Sequence, residues 1–490
     1  MTRKSFPVPA LLAVIFAICG AQTTDTLSFD KAVSLAINQS PEMLQARFTL
    51  DQSRAQYDAA EAAQKFQVNL TLNPFSYTND LELSQSDQWD TTRKFQSNGK
   101  VQLSQPLPLT GGAIGLSGDL GWNDLYTSFS RSGENRSYDY HSSISYSQPI
   151  LIYNQLKMDL RQQQLTLETN ELTYAMKTLA IEASIASDYY GLYLDQMNFR
   201  IAQETYKSAQ QSYDVTETGV ASGKQAKADL YQASVTLTQS ESDMKNKETV
   251  WLNAADAFKH RLGFQLDGEM ELTIDTTGRP VDINLRKAIE NGLHARMELR
   301  QDEITIENAQ FALIQAKSSG DVSGNLNVAY GVMGNSKNIN GLFNNPSKNQ
   351  SVSLSLQIPL WDFGANRARV KAADLTLKQD RFSLTDEKLT VTLSIRAEYR
   401  LIQNLQEQIE LARRTLESAA LAYDVNFEKY KQGGLSALDL NQYRIQLATA
   451  KSGMVGALVN YRIELLNMKV QSLWDFQTNE PVLPEVKLKD

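Results

Sequence analysis

The sequence is poor in the residues that usually carry chemistry. It contains one cysteine, Cys19, and three scattered histidines, His141, His260 and His294. One thiol cannot form an internal disulfide, and no Cys/His cluster is present to hold a structural metal. No glycine-rich phosphate loop stands between a strand and a helix; Thr110-Gly111-Gly112 reads as a hairpin turn. Positive charge is also scarce. The 48 Lys and Arg residues are outnumbered by 56 Asp and Glu, leaving a formal charge of −8. No basic face invites nucleic acid. Long apolar runs are missing too, and mean hydropathy is −0.38. A membrane protein of many helices, which needs repeated apolar runs of about 20 residues, is excluded. A β-barrel is not, because its strands alternate apolar and polar residues.

The amino terminus reads as a secretory signal over residues 1–21. Arg3-Lys4 supply the positive region, Ala10 to Ile18 the apolar stretch, and Cys19-Gly20-Ala21 a small-residue cleavage site. Cleavage after Ala21 leaves a chain without cysteine. The alternative is a lipoprotein whose first residue is a lipidated Cys19, although Ile18 fits poorly before it.

What is present is helical periodicity. Ile402, Leu405, Ile409, Ala412, Leu416 and Ala419 form one stripe, and Leu440, Tyr443, Leu447, Ala450, Met454, Ala457 and Tyr461 a second. Steps of three and four residues are the spacing of coiled-coil packing. Between the stripes lies YDVNFEKYKQGGLSALDL, residues 423–440. Gly433-Gly434 can adopt positive φ and close a helical hairpin, with Ser436 capping the returning helix. The same tip recurs earlier. Tyr213, Asp214, Val215, Gly223, Asp229, Leu230 and Gln232 each lie 210 positions before their counterparts. Ser184-Ile185, Tyr189 and Pro149 keep that offset, so the chain reads as an internal duplication.

In order, a short amphipathic segment at 22–40 leads to Ser40-Pro41-Glu42, a helix start with a capping residue, proline at the first position and an acid in the first turn. Alternating runs at 66–75, 101–109, 114–122 and 137–150 read as strands, with 77–99 and 129–136 as connections. A first repeat thus spans 22–262, with a four-stranded region at about 66–150 and a helical hairpin at 155–262. Residues 263–282 read as a connector with a strand-like run from Met270 to Ile274. A second repeat, 283–474, holds a helix at about 294–317, two strands within 322–360 around an Asn/Gly/Ser-rich loop at 334–348, and a helical hairpin at 366–470. A polar tail fills 475–490. Lys31-Ala32 and Glu42 pair with Lys287-Ala288 and Glu298 at an offset of 256, so the first repeat carries 46 extra residues before Pro149. Ser104-Gln105-Pro106-Leu107 resembles Ser147-Gln148-Pro149-Ile150, which suggests an extra β-hairpin. Pro106 and Pro108 weaken that strand's claim to span a membrane.

A helical arm of some 65 residues is roughly 95 Å long at about 1.5 Å per residue, more than a globular core requires. The strands of one chain cannot enclose a channel, and open edges are not tolerated in lipid. Several chains must therefore pool their strands.

The opening LSFDKAVSLAINQSPEMLQAR, the junction SLSLQIPLWDFGANRARVKAAD and the tip YKQGGLSALDLNQYR resemble the TolC-like outer-membrane efflux protein family, the outer membrane factors. The resemblance runs in order over nearly all of the chain after the signal. It implies a mainly α fold with a β part: long antiparallel coiled-coil hairpins and transmembrane strands, forming a trimeric α-barrel/β-barrel duct. The implied location is the outer membrane of a Gram-negative bacterium, in contact with its lipid and extending into the periplasm. The implied partners are two further copies, a periplasmic adaptor (membrane fusion protein) docked on the tips, and an inner-membrane pump of RND or ABC type. The implied role is a passive exit duct for efflux or type I secretion, with no enzymatic activity, cofactor or metal. Two strands per repeat would give twelve per trimer; the extra hairpin would give eighteen, or would pack outside the membrane.

The resemblance also implies a periplasmic gate built from acidic rings at Asp229 and Asp439 and from Tyr430. Three carboxylates on a threefold axis attract cations and repel one another. The family's second ring position falls on Gln442, and a constriction arginine of some members falls on Leu435. The plainer reading makes both aspartates first-turn acids opposing a helix dipole. Gly223, Gly433 and Gly434 are expected to form the turns. Lys224, Lys227, Leu435 and Ser436 are candidates for adaptor docking, or belong to a solvated loop. Trp122 and Trp361 read either as interfacial belt residues or as packed aromatics. Two other classes stay open: a periplasmic structural or adaptor-like coiled-coil protein without a pore, and a secreted enzyme with a helical domain.

Overall fold

A computed structural model describes residues 26–83, 89–128, 134–263, 271–272 and 280–482. The signal segment, most of the connector expected at 263–282 and the end of the polar tail lie outside them. In chain order the elements are β1 (Thr26–Leu27), α1 (Phe29–Gln39), α2 (Pro41–Ala63), β2 (Gln67–Leu83), β3 (Trp89–Leu107), β4 (Gly112–Thr127), β5 (Glu134–Ile150), α3 (Gln155–Ala221) and α4 (Lys227–Leu262). There follow β6 (Glu271–Leu272), α5 (Leu285–Ala295), α6 (Met297–Ser318), β7 (Ser323–Ser336), β8 (Ser347–Gln357), α7 (Ala365–Lys431), α8 (Ala437–Ser472), β9 (Trp474–Asp475) and β10 (Glu480–Pro481). The two long helices α3 and α7 have 67 residues each, and α4 and α8 have 36 each. Two compact units result: of the described residues, 26–44, 177–263, 271–272, 280–288 and 394–482 form one, and 45–83, 89–128, 134–176 and 289–393 the other.

The second unit contains one antiparallel sheet in the order β2-β3-β4-β5-β7-β8. Its register sorts the side chains into two classes. Val68, Leu70 and Leu72 of β2 stand beside Leu103, Val101 and Gly99 of β3; Leu103 and Val101 stand beside Leu116 and Gly118 of β4. The same row continues through Ile144 of β5, Tyr330 and Val328 of β7, and Val352 and Leu354 of β8. Alternate residues point to opposite faces, so through much of the six strands one face is mainly apolar and the other carries Asn, Ser, Gln, Asp and Lys; toward one end Asn79, Arg93, Asp124, Arg136 and Lys348 join the apolar row. A register shift between Asn73 and Ser76 keeps this sorting intact. The extra residue, next to Pro74, returns Phe75, Tyr77, Leu81 and Leu83 to the apolar side.

The strands are longer than their alternation at sequence level implied. Within the expected connections, residues 77–83, 89–99, 134–136, 334–336 and 347–348 are strand. Their polar face is rich in Asn, Ser, Thr and charge, and this composition imitates a loop. Pro106 is accommodated in β3 because pairing with β2 ends at Ser104, so only β4 flanks it. Pro149 repeats this geometry: pairing of β5 with β4 ends at Ser147. The helix expected at about 294–317 is α6; a further helix, α5, precedes it, and Arg296, whose ψ of 126° is extended, separates the two.

In the same unit α6 is stitched to α3. Arg161 donates to both carboxylate oxygens of Glu307 at 2.8 and 3.1 Å, and Arg300 donates to Glu168 at 2.7 Å. Bidentate guanidinium–carboxylate geometry fixes orientation as well as distance. Asn170 on α3 donates to Ser53 of α2 at 3.0 Å.

In the first unit β1 and β6 pair in parallel. The Tyr189 hydroxyl donates to the Leu27 carbonyl at 2.8 Å, and the Phe29 ring lies against Tyr189 and Tyr190. Lys287 sits 3.6 Å from the Trp474 ring centre and holds the β9 segment to α5.

Candidate functional site

Both tips belong to the first unit and close by the same local rule. At the end of α3, Gly223 (φ +74°) lets the Lys224 N–H reach the Gly219 carbonyl at 2.8 Å. At the end of α7, Gly433 (φ +76°) lets the Gly434 N–H reach the Lys429 carbonyl at 2.9 Å. These are glycine-terminated helix ends, in which a left-handed residue allows the chain to reverse. Gly434 does not share this role, because only Gly433 of the pair has positive φ. One left-handed residue suffices to end the helix.

The returning helices start on their aspartates. Asp439 accepts from the Ser436 hydroxyl at 2.7 Å, and its own N–H donates to that oxygen at 3.1 Å. Asp229 accepts from the Ala226 N–H at 3.3 Å. Both carboxylates therefore sit in the first turn of α4 and α8 and favour the positive end of the helix dipole. Asp439 is exposed, as are Lys224, Lys227 and Ser436, whereas Leu435 is half-buried against the tip core.

Tyr430 is fully buried in a small core with Ala437 and Leu440, covered by Val215, Tyr423, Phe427 and Leu435. Its hydroxyl hydrogen-bonds to the Thr216 hydroxyl and donates to the Ser212 carbonyl at 3.3 Å. One heptad earlier, the Tyr423 hydroxyl hydrogen-bonds to Ser208. Two tyrosines on one face of α7 thus latch onto hydroxyl residues of α3. Burial pushes the Tyr430 phenol above its ordinary range, so it stays a neutral donor at any physiological pH.

Arg444 was absent from the sequence-derived site. It is 5% exposed, and burial pushes its guanidinium below the usual range. Nη2 donates to Asn441 at 2.6 Å, while Nε and Nη1 have no hydrogen-bond partner among the described residues. Its signal was faint: a charged residue four positions after the buried Leu440, next to the apolar stripe rather than opposite it.

The structure brings Tyr430 together with Thr216 and Ser212, and gives each aspartate a partner on its own helix. The sheet supplies the second functional surface. Trp122 is part of its apolar row, and Trp361, 78% exposed, packs edge-on to Phe363 where β8 gives way to α7. No helix among the described residues is long and apolar enough to cross a membrane; the sheet is a different matter.

The outer membrane efflux protein family model matches residues 112–263 and 320–469. The chain belongs to the outer membrane efflux protein family. Each matched segment holds two strands, a 67-residue helix and all or most of a 36-residue helix. The chain is 23% identical over 335 residues to the cation efflux system protein CusC of Escherichia coli (strain K12), covering 67% of this chain and 69% of that protein. Its fold is similar to the CusC crystal structure, with a TM-score of 0.68 at 17% identity and 91% of each chain covered. It is also similar to the Campylobacter jejuni CmeC outer membrane channel (TM-score 0.68, 14% identity, 93% of this chain and 86% of that one). The outer membrane protein VceC of Vibrio cholerae gives 0.67 at 14% identity, with 91% and 95% covered. As a member of the family the protein is an efflux channel of the outer membrane, which is not an enzyme family. A poreless coiled-coil protein would leave the two-faced sheet without a purpose.

Proposed function

We propose that the chain is the exit duct of a tripartite efflux or type I secretion system, formed by three copies and closed at its tips. The observation that carries this reading is the sheet with one apolar face and two open edges. Backbone groups on an open edge cannot be left unpaired in lipid, so copies must join edge to edge. Exposed apolar residues at heptad spacing on α7, Leu375, Phe382 and Leu389, supply a matching seam between helical walls. The equal lengths of α3 and α7, and of α4 and α8, fit an internal duplication whose two halves line one wall. The apolar face meets outer-membrane lipid, and the helices extend into the periplasm. There the tips, with Lys224, Lys227, Leu435 and Ser436, dock on a periplasmic adaptor that connects to an RND or ABC pump.

The gate in this reading has two layers. Tyr430 and Tyr423 hold α7 against α3 inside each copy, and the Asp229 and Asp439 carboxylates of three copies converge as anionic rings. Opening separates α7 from α3 and is opposed by the tyrosine latches. Cargo is chosen by the pump that loads the duct, so the proposal concerns the duct itself.

Fractionation tests it. The protein is expected in outer-membrane fractions as a trimer that dissociates only on heating, and its loss is expected to raise accumulation of pump substrates in cells. A monomer in the soluble periplasm would refute the duct.

A further inference from the structure

The strand pair β2–β3 precedes both segments matched by the family model, which begin at Gly112 and just before β7. We infer that this pair is a wall hairpin inserted at the subunit seam: the open edge of β2 receives the open edge of β8 from a second copy. Each copy then contributes six strands to the barrel, and three copies give eighteen. The inference rests on the trimeric duct proposed above.

The edge of β4 is already occupied. β3 pairs with it along its whole length, from Gly112 to Thr127. A neighbour's β8 could reach β4 only by expelling the hairpin. The side chains of β2 and β3 also obey the same sorting as the other four strands, which is the test of where they reside. A hairpin folded outside the membrane has no reason to align Val68, Leu70, Leu72, Val101 and Leu103 with the apolar row of β4. The irregularity at Asn73 and Ser76 would flip every later residue of β2 if it were absent. It instead returns Phe75, Tyr77, Leu81 and Leu83 to the side of Val68, Leu70 and Leu72, with Asn79 among them.

The polar side is continuous as well. Gln96 of β3 donates to Asn123 of β4 at 2.7 Å, and Asn123 donates to Asp139 of β5. The turn after β3 is fastened to the strand–helix junction of the matched segment. Gln148 donates to the Thr110 carbonyl at 2.8 Å, and Asn154 donates to the Pro108 carbonyl at 2.6 Å.

The two free edges suit one another. In an antiparallel sheet with an even number of strands, the first and last run in opposite directions. A neighbour's β8 therefore lies antiparallel to β2, with Val352, Leu354 and Leu356 on the same side as Val68, Leu70 and Leu72. Head-to-tail joining closes a ring and leaves no edge, whereas a twofold β2–β2 contact would leave two β8 edges open in lipid. Barrel diameter grows roughly linearly with strand number, so eighteen strands give a mouth about 1.5 times as wide as twelve.

Disulfide trapping in whole outer membranes decides the seam. Ser355→Cys on β8 is combined with Asn69→Cys, Thr71→Cys or Asn73→Cys on β2, and separately with Ser117→Cys on β4. Single variants control for Cys19. All of these residues are on the polar side of exposed or half-buried strand positions. Disulfide-linked dimers and trimers are expected for at least one β8–β2 combination and not for β8–β4. Cross-links between Ser355→Cys and Ser117→Cys would overturn the seam and leave the trimeric duct standing. So would a conducting trimer without β8–β2 links. A monomer without links would overturn both.

Discussion

Tyr430 joins two kinds of stabilisation at one position. Its ring fills the tip core, and its hydroxyl bonds to Thr216 and Ser212 on the neighbouring helix. Tyr430→Phe keeps the ring and removes the latch, at a cost of about 1 kcal/mol. Resting conductance of the duct is expected to rise. Thr216→Val acts on the same bond, so a double-mutant cycle should show coupling rather than additivity; fully additive effects would separate Tyr430 from the gate. At Asp439 charge and cap can be told apart. Asp439→Ala is expected to raise resting conductance, and Asp439→Asn, which can still accept from the Ser436 hydroxyl, is expected to do so as well. If only the alanine variant leaks, the residue serves the helix and not the ring. A third position responds to pH. Glu398 is 8% exposed, and one of its oxygens lacks a partner among the described residues. Burial, with a hydrogen bond to and repulsion from Glu464, pushes its carboxyl from 4.5 up to about 8. Between those values the folded chain holds a proton that the unfolded chain has released, so stability falls as pH rises from about 4.5 through about 8. Glu398→Gln is expected to flatten that slope in thermal denaturation, and an unchanged slope would remove Glu398 as its source.

At the scale of elements, the tips were the most legible part of the sequence. A glycine between two apolar stripes, with a capping residue three positions before an acid, specifies a hairpin on local grounds alone. Gly433 shows how narrow the requirement is. Only the Lys224 carbonyl, 4.0 Å away, comes near a Cβ built there, so Gly433→Ala meets backbone strain of about 1–2 kcal/mol and little steric resistance. Limited proteolysis at the second tip should accelerate several-fold, and an unchanged rate would mean that the turn tolerates a side chain. The strands were less legible. Their apolar residues recur only every second position, and the residues between them, such as Asn79, Asp80, Thr91 and Thr92, have the composition of a loop. Arg444 escaped for a different reason. Sequence patterns treat a charge near an apolar stripe as a solvated flank, and only packing reveals it as buried with two donors unfilled. Such departures from local consistency tend to mark functional places.

At the scale of the molecule, the sheet and the helices pose one problem. Neither the open edges β2 and β8 nor the exposed heptad residues of α7 are satisfied within one copy. Association resolves both, and the alternating faces decide which side meets lipid and which meets the transported cargo. Membership of the outer membrane efflux protein family is what the two matched segments establish; the β2–β3 pair stands ahead of both. The most direct test of the account is single-channel conductance of the purified protein in planar bilayers, with and without millimolar divalent cations. The account predicts small cation-selective openings that divalents block and that Asp439→Asn frees from the block. Folded trimers that never conduct would contradict the duct, and a large conductance indifferent to divalents would contradict the acidic gate.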